Sequence, residues 1–141
     1  MTITLKEAMS WAIKGERFET IEKWENAIKC FDEALKINPN IASVWLSKGK
    51  ALLADRKCNQ ALKCFDKAIQ LNPDQFSEAW NGMGMALSEL KNFVEANKCF
   101  KKALSLDDEN PEYFFNRGSA LAELGKFKKA NEYLERAKKK L

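Results

Sequence analysis

Histidine is absent from the 141-residue chain. The commonest general base and a common zinc ligand are therefore both missing. The four cysteines, Cys30, Cys58, Cys64 and Cys99, form no Cys-x-x-Cys pair, so neither a zinc site nor a dithiol redox motif is indicated. Asp107 and Asp108 could supply paired carboxylates. They sit in a linker ahead of Pro111, however, where turn formation and helix-start charge account for them. Gly82-x-Gly84 has no strand before it and is not a dinucleotide fingerprint. These residues predict a non-catalytic protein with no cofactor and no metal, and leave binding as the chemistry to be explained.

The elements that would position a binding surface follow from a repeat. Trp11, Trp45, Trp80 and Phe114 are spaced by 34, 35 and 34 residues, and Gly15, Gly49, Gly84 and Gly118 keep the same intervals. So do Ala27, Ala61, Ala96 and Ala130, and Ala34, Ala68, Ala103 and Ala137. Phe31, Phe65 and Phe100 follow the rule, with Leu134 in the fourth copy. Landmarks sharing one register across four copies mark a repeat architecture. Helical spacing within each copy predicts two helices: Thr4 to Glu19 and Trp24 to Ile37, Ala42 to Ala54 and Cys58 to Leu71, Ser77 to Leu90 and Phe93 to Leu106, Glu112 to Leu124 and Phe127 to the end. Thr4, three residues before Glu7, reads as a capping box. One extra residue falls near Phe76. Gly125 suits a helix end because it enters the left-handed region without penalty.

The in-register glycines carry a physical message. A glycine inside a helix costs about 1 kcal/mol relative to alanine. Accepting that cost four times predicts close approach of another helix at each. Cys30, Cys64 and Cys99 fall at one place in successive copies. Equivalent points on packed helices are roughly 8–10 Å apart, beyond the about 7 Å that a disulfide tolerates, so they read as reduced packing residues.

An aromatic, a glycine, a large apolar residue, alanine, an aromatic, alanine and a closing proline together resemble the tetratricopeptide repeat. In the second copy these are Trp45, Gly49, Leu52, Ala61, Phe65, Ala68 and Pro73. In the third copy the closing proline is displaced to Pro111, and the fourth has none. The resemblance covers about residues 8–141, with repeats about 8–41, 42–75, 77–110 and 111–141. It implies one all-α domain over 1–141, a right-handed superhelix of four antiparallel helix pairs, eight helices in all. It also implies a concave groove, lined by the first helix of each pair, that holds a partner peptide or helix.

Helical spacing places Met9, Ala12, Ile13, Glu16 and Glu19 on that side of the first copy. Ser43, Leu46, Ser47, Lys50 and Leu53 follow in the second, then Glu78, Asn81, Met85, Ser88 and Glu89 in the third. The fourth adds Glu112, Phe115, Asn116, Ser119 and Glu123. Family members that clamp a chaperone C-terminal carboxylate use lysine, arginine and asparagine there. The matching positions here are Ala12, Glu16, Ser47, Glu78 and Gly82, so no carboxylate clamp is expected. These groove candidates hold six glutamates against Lys50, a formal sum of −5 within a chain of net charge +4. The expected guest is basic and partly apolar, with Leu46, Leu53, Met85 and Phe115 as anchors. A solvated acidic face is the alternative.

Lys128, Lys129, Arg136 and Lys138 to Lys140 make the last helix basic, and Lys98, Lys101 and Lys102 add to it. No exposed aromatics interleave with them to stack bases, so a nucleic-acid partner is disfavoured. Tyr133, Leu134, Ala137 and Leu141 face the side where a further helix would pack. A homodimer through this C-terminal end is the alternative function. The chain has no apolar run long enough to span a bilayer. Met1 to Glu7 lack a signal-peptide pattern, so the expected location is the cytoplasm.

Overall fold

In the computed structural model, which describes residues 3–74 and 76–140, all regular structure is helical. The helices are α1 (Ile3–Thr20), α2 (Trp24–Ile37), α3 (Ala42–Ala54), α4 (Cys58–Leu71), α5 (Ser77–Glu89), α6 (Phe93–Leu106), α7 (Pro111–Glu123) and α8 (Phe127–Lys139). They form two compact units, Met1–Pro73 and Asp74–Leu141, each holding two helix pairs. In the first unit α1 pairs with α2, α3 pairs with α4, and α2 packs on α3, with α1 touching α3. The second unit repeats this with α5 to α8.

Within a pair, the turn is set by one residue of left-handed backbone. Glu22, Arg56, Lys91 and Gly125 all have positive φ, between 57° and 77°. Each is followed by a backbone bond reaching back to the first helix: Lys23 to Phe18, Lys57 to Leu52, Asn92 to Leu87 and Lys126 to Leu121, at 2.8–3.0 Å. This six-residue closure satisfies carbonyls that the helix end leaves free. Only the fourth copy uses glycine for it; the other three carry the cost of a side chain in that region.

Side-chain caps contribute little. From α2 onward, only Asn92 and Asn110 cap a helix N-terminus with their own side chains. The capping box expected at Thr4 is not how α1 begins, because Ile3 and Thr4 are already helical. Packing holds the helices instead. In the first unit Ala27, Phe31 and Ala34 are fully buried beside Ala8, Ala12 and Val44. In the second, Phe100, Ala96 and Ala120 form one cluster, and Phe114, Tyr113 and Ala103 another. The register glycines sit where predicted: a Cβ on Gly15 or Gly49 would lie within 2.7 Å of the Phe31 or Phe65 ring. Cys30, Cys64 and Cys99 are buried and unbridged. Burial pushes the thiols of Cys64 and Cys99 up to about 11.

Candidate partner-binding faces

The first helix of each pair presents one side that its own partner does not cover. In the first unit this side comes from α1 and α3. Ile13 is 47% exposed, Glu16 and Lys50 are exposed, and Met9 and Leu53 are half-buried. Leu46, expected as an anchor, retains only 9% exposure and so is not free to receive a guest. Ala12 is likewise buried. Glu19 is half-buried, and desolvation raises its carboxyl above the ordinary glutamate range. Lys50 opposes that rise and Glu16 adds to it, so the fold brings these three charges together.

The sign of the Glu19 shift gives a prediction. A raised folded-state value means that Glu19 favours folding while protonated, below the ordinary glutamate range. That contribution is lost as pH rises through the raised value. Glu19→Gln is therefore expected to raise the melting temperature at pH 7 and to change it little at pH 3, as thermal denaturation at the two pH values will test.

The second unit has the more developed face, from α5 and α7. Asn81 is 6% exposed and lies at its centre. Its amide donates to Glu112 Oε1 at 3.3 Å, and its carbonyl oxygen accepts from Asn116 Nδ2 at 2.8 Å. The same amide approaches Met85 Sδ at 3.5 Å. Four residues placed on one face by helical spacing thus touch one another. A buried amide is tolerable here because its donor and acceptor both find partners. Above them Met85 is 37% and Phe115 56% exposed. Glu78, Glu89, Glu112 and Glu123, on the same two helices, are all exposed.

Two buried polar groups were not anticipated from the sequence. The Tyr113 hydroxyl shares a 3.1 Å hydrogen bond with Ser77, and burial raises its pKa. Arg117, 8% exposed, donates from Nε to Asn97 Oδ1 at 3.3 Å and lies 4.4 Å over the Tyr133 ring. A signal existed for Arg117. Lys14, Lys48 and Arg117 occupy one register position, three residues after an aromatic, and each covers a ring.

At the far end of the second unit Ala137 is buried, and Tyr133 and Leu134 are half-buried. Arg136 lies 4.7 Å over Phe114 and 5.7 Å from Tyr133, and Lys140 sits 5.4 Å over Phe114 while pairing with Glu109. Leu141 lies outside the described residues. Among the described residues no cluster of metal-ligating side chains occurs, and no helix is long and apolar enough to cross a membrane.

Comparison with known proteins agrees with the repeat. Family models described as tetratricopeptide repeat match residues 14–76, 77–110 and 111–139. No curated protein matches the chain. Among solved structures, a crystal structure of MamA is 18% identical and superposes with a TM-score of 0.88 over 94% of this chain and 77% of its own. MamA from Desulfovibrio magneticus RS-1 gives 21% identity and a TM-score of 0.87, over 94% and 74%. YrrB, described as a TPR protein with an unusual peptide-binding site, gives 19% and 0.80, over 94% and 68%. Identities this low speak for the fold alone. With eight helices in register pairs and three family matches running from residue 14 to 139, the chain belongs to the tetratricopeptide-repeat family.

Proposed function

We propose that this protein is a non-catalytic interaction module that holds a basic, partly apolar peptide or helix on the faces of its first-of-pair helices. The strongest such face is that of α5 and α7. The reading rests on the charge of those two helices. Between them they carry four glutamates, all exposed, and a single cation, Arg117, which is buried elsewhere. The paired helices α6 and α8 hold the opposite charge, with Lys98, Lys101, Lys102, Lys128, Lys129 and Arg136. An acidic rim around exposed Met85 and Phe115 suits a guest that offers lysine or arginine beside an apolar side chain. Apolar contact supplies affinity, and the carboxylates supply orientation and association rate. The first unit offers a similar but weaker surface in Ile13, Met9, Leu53, Glu16 and Lys50. YrrB, with its peptide-binding site, is a fold-level precedent for a peptide guest. The proposed setting is the cytoplasm.

A self-association reading through α8 finds less support, because Arg136, Arg117 and Lys140 already lie over the rings that a second copy would cover.

The test is fluorescence anisotropy with a dye-labelled amphipathic helix of lysines and leucines. Binding is expected, and Phe115→Asp should weaken it at least about tenfold, as for a central anchor. Equal affinity of wild type and variant overturns the assignment of the face.

A further inference from the structure

Trp11 projects from the opposite flank of α1 to Ile13, since two residues advance about 200° around a helix. There, within the first unit, lies a cavity of about 700 Å³ that the α1–α3 face does not use. Its apolar lining is Trp11, Trp45, Leu35 and Pro39. Trp45 is fixed, because its Nε1 donates to the Pro39 carbonyl at 2.7 Å. Lys29, Lys36 and Lys48 stand around the lining with Asp32 and Glu33. Lys48 is committed: it lies 2.6 Å from Asp32 Oδ1 and 5.6 Å over the Trp45 ring.

Lys29 and Lys36 are held differently. Their side chains are 75% and 72% exposed, and they pair with Glu25 and Glu33 on the same helix. Exposed pairs of this kind are weak, because water and salt screen them. An incoming carboxylate can therefore recruit either lysine at small cost. A cationic guest finds fewer openings. Of the two lining carboxylates Asp32 is engaged by Lys48, which leaves Glu33 alone to recruit, and Lys14 lies 5.1 Å over Trp11 while Lys48 covers Trp45.

We infer that this cavity is a second binding site, for an acidic peptide segment of a partner protein that places one apolar side chain against Trp11 and Trp45 and its carboxylates beside Lys29 and Lys36. Its guest is opposite in charge to the one proposed for the α5–α7 face, so one chain could join two partners of opposite sign. Apolar burial between the indoles provides the contact, and the lysines select the sign.

The probe is a dye-labelled acidic peptide with a single leucine between two pairs of aspartates, titrated into the full chain at low salt. Binding that weakens with salt is expected. The indole N–H signals of Trp11 and Trp45 should shift in ¹⁵N-resolved NMR, with that of Trp80 still. Lys29→Glu combined with Lys36→Glu changes only exposed side chains and should lower affinity at least tenfold. Phe115→Asp, on the other proposed face, should leave it unchanged. The inference is overturned if the peptide does not bind, if the lysine reversals leave affinity intact, if the shifts fall on Trp80, or if a lysine-for-aspartate peptide binds equally. Light scattering that finds a dimer abolished by the same reversals would also overturn it, by making a second copy the occupant.

Discussion

Gly84→Ala is expected to destabilise the protein by about 1–3 kcal/mol, the cost of overpacking a filled core. In an ordinary helix interior the same change gains about 1 kcal/mol. The sign reverses because a Cβ at Gly84 would press into the Phe100 ring, and Phe100 is 2% exposed with nowhere to retreat. Gly118→Ala meets a more forgiving neighbour. The nearest atoms there, at 2.8 and 2.9 Å, belong to Leu134, a half-buried and flexible side chain, although the Ala130 carbonyl at 3.1 Å limits how far it relaxes. Urea denaturation should therefore rank Gly84→Ala as clearly more costly than Gly118→Ala. Adding Phe100→Leu to Gly84→Ala should cost less than the two single losses summed, because the smaller partner makes room for the methyl. Strict additivity would show that the glycine serves some other purpose.

The second large effect concerns binding. Glu78→Lys, Glu89→Lys and Glu123→Lys together reverse three exposed charges on α5 and α7. Surface changes of this kind usually alter stability by less than about 0.5 kcal/mol, so the folded face persists with its sign inverted. Affinity for a basic amphipathic peptide is expected to fall on the order of 100-fold at 0.05 M salt, mainly through association rate, and to lose most of its salt dependence. Glu112 is left in place because it accepts from Asn81, and its loss would mix a packing effect with the electrostatic one. Stopped-flow association at several ionic strengths separates the two contributions.

Most of the fold could be read from the sequence because the repeat states each rule four times. Pro39 and Pro73 stop helices, Gly125 closes a turn, and the bounds of α2, α3, α4 and α6 follow from helical spacing together with such stops. The start of α1 did not follow. The Thr4–Glu7 pattern satisfies a local rule, yet Ile3 is already helical. The left-handed turn residues Glu22, Arg56 and Lys91 were also hidden, because their side chains do not announce the backbone they adopt. At the candidate faces, helical spacing gives the side but not the depth. Helical spacing groups Leu46 with Ile13 and Asn81 with Phe115, yet Leu46 and Asn81 are buried while Ile13 and Phe115 are exposed. For Asn81 the cover includes Glu112 and Asn116 of α7. The Asn81–Asn116–Glu112 contacts join residues 31 and 35 positions apart, which no single-copy pattern encodes. The cavity beside Trp11 and Trp45 was hidden for a similar reason, since it needs α2 and α3 brought together around α1.

The α5–α7 face is tested most directly by NMR of the chain with labelled methionine methyls and side-chain amides, titrated with a basic amphipathic peptide. Met83 and Met85 share α5 but point about 200° apart, so each serves as the control for the other. The account predicts that the Met85 methyl and the Asn81 and Asn116 carboxamides shift while Met83 stays in place. Shifts at Met83 with Met85 unmoved, or no shift at any of these groups under low salt, would contradict it.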